Sequence, residues 1–256
     1  MSSKPEASPS EPKPLASAHD MARWRAAADT AGFASATIAP LPSDASFRRY
    51  ARLEGGHAPA LVMDAPAPQE DLARYSRINR HLAGMGLRVP SFFYEDVPAG
   101  LAVIEDFGTS TFTKALASGV PETELYLLGV EALVQLHKSA QAVQLDAPPF
   151  DMEHHMRDLS LFADWYVRAV LGEQPDEGLR GQYLAAWRAC LGEVAELRQT
   201  LVMKDYHVDN LMLTAPANRF NDTYQNTVAG TPYRLDQCGL LDFQDALIGP
   251  YAYDLA

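Results

Sequence analysis

The chain changes character at Gly108. Before it, apolar runs are short and cut by Gly or Pro: "ASFRRYARLEGG", "HAPALVMDAP" and "VPSFFYEDVPAGLAVIEDFG". Runs of this kind read as strands of antiparallel hairpins. After it, apolar residues recur at helical spacing over long windows: "PETELYLLGVEALVQLHKSA", "DMEHHMRDLSLFADWYVRAVLG" and "RGQYLAAWRACLGEVAELRQ". These read as amphipathic helices. Two further helices interrupt the first region. One runs from His19 to Gly32 with Met21, Trp24, Ala28 and Ala31 in phase; the other, "PQEDLARYSRINRHLAGMG", aligns Leu72, Tyr75, Ile78 and Leu82. The expectation is an α+β fold of two lobes: residues 19–108 on a small antiparallel sheet and residues 109–256 mostly helical. Residues 1–18, rich in Pro, Ser and Ala, read as a disordered tail. No internal repeat stands out.

With 256 residues, 47% of them hydrophobic, the chain can bury one large or two modest cores. The net charge of −12 shows no basic footprint, which argues against nucleic acid and anionic membranes as partners. Cys190 and Cys238 are the two cysteines, too few for a disulfide framework, and no run of 18 apolar residues or apolar signal region occurs. The chain therefore reads as cytoplasmic.

The chemistry concentrates in "LVMKDYHVDNLML", residues 201–213. Apolar runs that want burial bracket Lys204, Asp205, His207, Asp209 and Asn210. In a tight loop between short strands, Asp205 and Asn210 can point into one cleft. A carboxylate there can accept a proton from a hydroxyl, and an amide oxygen can ligate a metal ion. Phosphoryl transfer asks little more of side chains than positioning and charge neutralisation. The pair alone is weak evidence. Downstream, however, "GLLDF" ends an apolar strand in Asp242. A buried strand-end carboxylate is costly unless paired or metal-bound, and a divalent ion shared by Asn210 and Asp242 meets that cost.

The order of acid, five-residue step, amide and second strand-end acid resembles the kinase catalytic loop and its metal-binding Asp. "SDASFRRYARL", "LVMDAP", "GLRVPSFFYEDVPAGLAVIEDFG", "KDYHVDNLML" and "LLDFQDALIGPYAYDLA" follow one another as in the aminoglycoside phosphotransferase-like kinases. Over roughly residues 20–256 the chain is most similar to the bacterial anomeric sugar kinases that phosphorylate N-acetylmuramate and N-acetylglucosamine at C1 in peptidoglycan recycling. The resemblance implies a bilobal protein-kinase-like fold, ATP and Mg²⁺ as cofactors, and an amino sugar as acceptor. It implies that Asp205 is the catalytic base and that Asn210 and Asp242 hold Mg²⁺. It also implies that the backbone of Glu105, Asp106 and Phe107 meets the adenine, and that Ser46 and its neighbours cover the phosphates. Aminoglycoside or choline acceptors, and a nucleotide-binding module without catalysis, are the competing readings.

Four departures qualify the match. The strand that carries Lys in kinases reads "ALVMDAP", with Met63 and Asp64 and no Lys. Arg48 and Arg49 are the nearest cations for the phosphates, with Glu70 as a helix partner, although Arg48, Arg49 and Arg52 also fit a solvated strand face. Met203 replaces the His that opens the loop, and Gln244 replaces the Gly of D-F-G. Residues 214–238, rich in Asn, Thr and Gly, separate the two metal-binding strands like a surface insertion. Elsewhere, His207 reads as loop packing, Asp209 as exposed and structural, His154-His155 as helix surface, and Trp165 and Tyr166 as core. By resemblance, Asp254 anchors the catalytic loop. "YAYDLA" is apolar at the chain end, where a polar tail is usual, and reads as a helical lobe cut short at its C-terminus.

Overall fold

The computed structural model describes residues 16–42, 47–173, 175–194, 197–215 and 227–255. Residues 1–15 of the expected tail, Ser46, and residues 216–226 of the expected insertion lie outside them. Two compact units divide the chain. One holds the residues up to Ala73 with Pro90–Gly108; the other holds Arg74–Val89 and the residues from Thr109 onward. The division thus transfers Arg74–Val89 out of the sheet-bearing segment.

The first unit contains α1 (Ala18–Thr30), β1 (Thr37–Pro40), β2 (Arg49–Glu54) and β3 (Ala60–Asp64). After α2 (Leu72–Gly84), which belongs mostly to the second unit, it adds β4 (Phe92–Asp96) and β5 (Leu101–Glu105). The strands form one antiparallel sheet in the order β1-β2-β3-β5-β4. β1 is not apparent in the sequence, since four residues ending in Pro40 carry little alternation; an edge position tolerates the proline. Side chains alternate across the sheet. Ala51, Leu53, Ala60, Val62, Leu101 and Val103 therefore share one face, where they bury Trp24, Ala27 and Ala28 of α1. Ser17 and Ala18, which the sequence places in the tail, cap and open this helix: the Asp20 amide donates to Ser17 Oγ at 3.2 Å, and Asp20 Oδ2 accepts the Ser17 amide at 3.0 Å. The turn between β4 and β5 needs Gly100. Its φ is +66°, and a Cβ there would run into the Ala65 carbonyl oxygen.

The second unit contains α3 (Phe112–Ala117), α4 (Glu122–Lys138), α5 (Met152–Leu161), α6 (Arg168–Leu171) and α7 (Glu177–Leu191). Four short strands follow: β6 (Gln199–Val202), β7 (Leu211–Leu213), β8 (Cys238–Leu240) and β9 (Leu247–Pro250). β6 pairs with β9 and β7 with β8, both antiparallel. α4 buries Leu125, Leu128, Ala132 and Leu136, the stripe its periodicity predicts. The described ends of the expected insertion lie side by side, since the Thr214 amide donates to the Gln237 carbonyl at 2.9 Å and Cys238 already belongs to β8.

Trp165 and Tyr166 correct the sequence reading. They stand 70% and 59% exposed. A π-helical stretch, Phe162–Val167, joins α5 to α6, and its i→i+5 spacing breaks the 3.6-residue register on which a core assignment depends. Among the described residues, no helix is long and apolar enough to cross a membrane.

Candidate active site

β6 delivers the chain into a loop of residues 203–210, and β7 carries it away. The loop is held by its own backbone. The Asp205 amide donates to the Met203 carbonyl at 2.9 Å, His207 to Asp205 at 3.1 Å, and Asn210 to His207 at 2.9 Å. From outside, Asp254 grips the start: Oδ2 accepts the Met203 amide at 2.7 Å and Oδ1 the Lys204 amide at 3.0 Å. Burial pushes the Asp254 carboxyl up to about 6, against the pull of those two amides. Tyr206 anchors the middle by donating to the Gly129 carbonyl of α4 at 2.6 Å. Asp209, read as exposed and structural, accepts from Thr113 Oγ1 at 2.5 Å.

Lys204 adopts φ 71° and Asp242 φ 56°, the two non-glycine residues with positive φ among those described. Each such conformation costs about 1–3 kcal/mol and persists where the surroundings over-determine it. At Asp242 the determinants are local. The Leu241 amide donates to the Asn210 carbonyl at 3.0 Å, and Phe243 is fully buried with its ring stacked on Tyr75, centroids 5.1 Å apart. Gln244, where D-F-G has Gly, donates Nε2 to Asp242 Oδ1 at 2.9 Å.

Asp205 feels the charge of Asp242. Burial raises the Asp205 carboxyl, the neighbouring charge of Asp242 raises it further, and Lys204 opposes both. The Asn210 amide has one possible orientation, because its Nδ2 donates to the Asp205 carbonyl at 3.0 Å and a carbonyl can only accept. That leaves Oδ1 as the amide atom not engaged with the Asp205 carbonyl. His207 is exposed and not packed; its Nδ1 accepts the Asp209 amide at 3.3 Å and its Nε2 lies 3.2 Å from Asn210 Nδ2. Among the described residues no three or more His, Cys, Asp or Glu converge as a metal cage. One amide oxygen and one carboxylate suit Mg²⁺, which keeps waters and takes phosphate oxygens for its remaining positions.

In the first unit, Arg48 and Arg49 have different occupations: Arg49 opens β2, and Arg48 precedes the strand. Arg49 turns toward α1. Its guanidinium donates to Asp20 at 2.8 Å from each terminal nitrogen and to Asp64 at 2.5 Å, and lies 5.5 Å over the Trp24 ring. It is thus engaged in a network with the carboxylates of Asp20 and Asp64. Arg48 is nearly buried, with Nε 3.1 Å from Glu70 Oε2. Glu70 precedes α2 instead of lying on a helix. Arg52, partly exposed, holds Asp106 at 2.5 Å. Glu105 ends β5, its amide donating to the Ser91 carbonyl at 2.8 Å, and the Asp106 carboxylate also takes the Gly108 amide at 2.7 Å, fixing the backbone around Phe107. Asp64, fully buried, accepts Trp24 Nε1 at 2.9 Å. Sequence reasoning missed it, although a carboxylate ending an apolar strand is the same signal that singled out Asp242.

A model of the phosphotransferase enzyme family matches residues 37–221, a span that carries Asp205 and Asn210 and stops before Asp242. The N-acetylmuramate/N-acetylglucosamine kinase of Pseudomonas aeruginosa is 36% identical over 224 residues, covering 86% of this chain and 58% of that protein. The protein of the same name from Neisseria meningitidis serogroup B is 33% identical over 217 residues, covering 83% of this chain and 58% of that protein. The chain thus spans little more than half the length of these relatives. Among solved structures, a choline/ethanolamine kinase family protein from Mesorhizobium loti superposes with a TM-score of 0.59 at 16% identity, covering 93% of this chain and 68% of that one. The streptomycin-ATP-APH(2")-IIa ternary complex gives 0.57 at 15% identity, covering 94% and 75%. At such identities the likeness speaks for the fold, which is the α+β fold of these kinases. The chain belongs to the phosphotransferase enzyme family.

Proposed function

We propose that the chain transfers the terminal phosphoryl group of ATP to a hydroxyl of an amino sugar, N-acetylmuramate or N-acetylglucosamine, at the anomeric C1. The observation that carries the reading is the pinned loop. Asp254 fixes Met203 and Lys204 by their amides, so Asp205 is presented at one place beside Asp242. Asp205 is the base. Its raised carboxyl is a better proton acceptor than an ordinary aspartate, and it orients the hydroxyl as the oxygen attacks phosphorus. Asn210 and Asp242 hold Mg²⁺, which when bound draws charge from the phosphates. Arg48, steadied by Glu70, supplies the cation that the strand Lys gives in other kinases, and the backbone at Glu105 and Phe107 takes the adenine. The names of the two bacterial relatives support the acceptor. A role in cell-wall recycling follows from that acceptor, and two free cysteines fit the reducing cytoplasm.

The test is ADP release from Mg-ATP with and without N-acetylglucosamine, together with loss of the sugar's reducing end. Sugar-dependent release with loss of the reducing end is expected. Release that depends instead on choline or an aminoglycoside moves the acceptor to another class. Nucleotide binding without release leaves a binding module and overturns the proposal.

A further inference from the structure

Lys204 has a costly backbone and a weak side-chain partner. At φ 71° a glycine would be free of strain, and the Asp254 grip is on the backbone amide, which any residue but proline offers. The conformation therefore does not explain the lysine. Its ammonium lies 3.3 Å from Asp158 of α5, and both side chains are about one-third exposed, at 32% and 39%. Ion pairs this open to water are weak and exchange readily. An ammonium has three donors, and this contact uses one.

The surroundings are acidic. Burial and then the charges of Asp242 and Asp245 push the Asp205 carboxyl up, while Lys204 and, to a smaller extent, His207 pull it down. Tyr253 feels Asp158, Asp254 and Asp205 as negative neighbours and Lys204 as a positive one. Its ring meets Phe150 edge-on at 4.7 Å, with His155 beyond. An uncharged acceptor can approach Asp205 here without electrostatic cost. An acceptor bearing a carboxylate meets like charges, and Lys204 is the cation adjoining the base.

We propose that Lys204 is an acceptor-specificity residue, whose ammonium, shared with Asp158, admits a sugar that carries a carboxylate. The inference rests on the sugar-kinase reading. N-acetylmuramate carries such a carboxylate and N-acetylglucosamine does not, so the two separate the effect. Asp158 is the counterweight: it competes for the ammonium and repels the acid.

The measurement is kcat/KM for each sugar, taken as the ratio of acid to neutral acceptor. Lys204→Met should lower the ratio about fivefold, the size of a half-exposed charge contact, mainly through KM of the acid. Asp158→Asn should raise it, and Lys204→Arg should keep it near the parent value. Lys204→Gly, which the backbone accepts, should lower it as Met does and guards against a folding defect. A ratio that moves the same way in Lys204→Met and Asp158→Asn, or not at all, while both sugars turn over, overturns the inference alone. Turnover of neither sugar by the unaltered chain overturns the functional reading and this inference with it.

Discussion

Asp64 and Asp205 are two aspartates at the ends of apolar runs, and the molecule treats them in opposite ways. Asp64 gathers its donors on one oxygen, Oδ2: Trp24 Nε1 at 2.9 Å, Arg49 at 2.5 Å, and Arg23 at 3.6 Å. Arg49 in turn holds the Asp20 carboxyl well below the usual carboxylate range. The charges cancel locally and tie α1 to the sheet. Burial first, and then the like charges of Asp242 and Asp245, raise the Asp205 carboxyl, on a backbone fixed by others. A closed network of charges stabilises a unit, whereas an open one keeps a carboxylate basic and ready for a proton.

Substitution can break the contrast. The largest expected effect is on turnover: Asp205→Asn should lose about 10²–10⁴-fold in sugar phosphorylation with the melting temperature close to the parent's, because only the base is removed. Parent-like turnover would take Asp205 out of the mechanism. Asp64→Ala should do the reverse. Leaving Arg49 and Trp24 short of a buried partner costs roughly 3–5 kcal/mol of unfolding free energy, read by denaturant titration, while the folded fraction keeps its metal dependence.

The smallest effect sharpens the comparison through pH. Burial raises Asp254 to about 6 from the ordinary carboxyl value of 3.8. Between those values the folded chain binds the proton and the unfolded chain does not, so this group adds stability as pH falls through 6 and loses it as pH rises. Stability of the parent minus that of Asp254→Asn should therefore grow by about 1 kcal/mol from pH 7 to pH 5. A difference that is flat with pH would show that Asp254 keeps its charge throughout.

The strands β2 to β5 are legible in the sequence because Gly and Pro punctuate them, and α4 because its apolar stripe is unbroken. β1 is too short for its alternation to register. Asp205, Asn210 and Asp242 can be picked out together because their spacing is local and strand-like runs flank them. The division of labour between Arg48 and Arg49 cannot, since it rests on partners distant in sequence, Asp20 and Asp64 for Arg49 and Glu70 for Arg48. The contact of Lys204 with Asp158 joins positions 46 apart in number, and no local pattern announces it. Trp165 and Tyr166 mislead because a π-helical turn leaves no mark in a 3.6-residue count.

The distance in sequence between α1 and the strands it covers has a consequence in time. Trp24 leaves the ribosome 40 residues before Asp64, the acceptor for its indole N–H, and Arg23 76 residues before the Ala99 carbonyl it caps. At ~5–20 residues per second, the indole waits roughly 2–8 s for its carboxylate. Through that interval α1 carries an unburied tryptophan and has no sheet to dock on. The β2–β3 hairpin can close first, being contiguous, and α1 must then return to it from a long way back. α1 thus waits on strands made after it before it can reach its place.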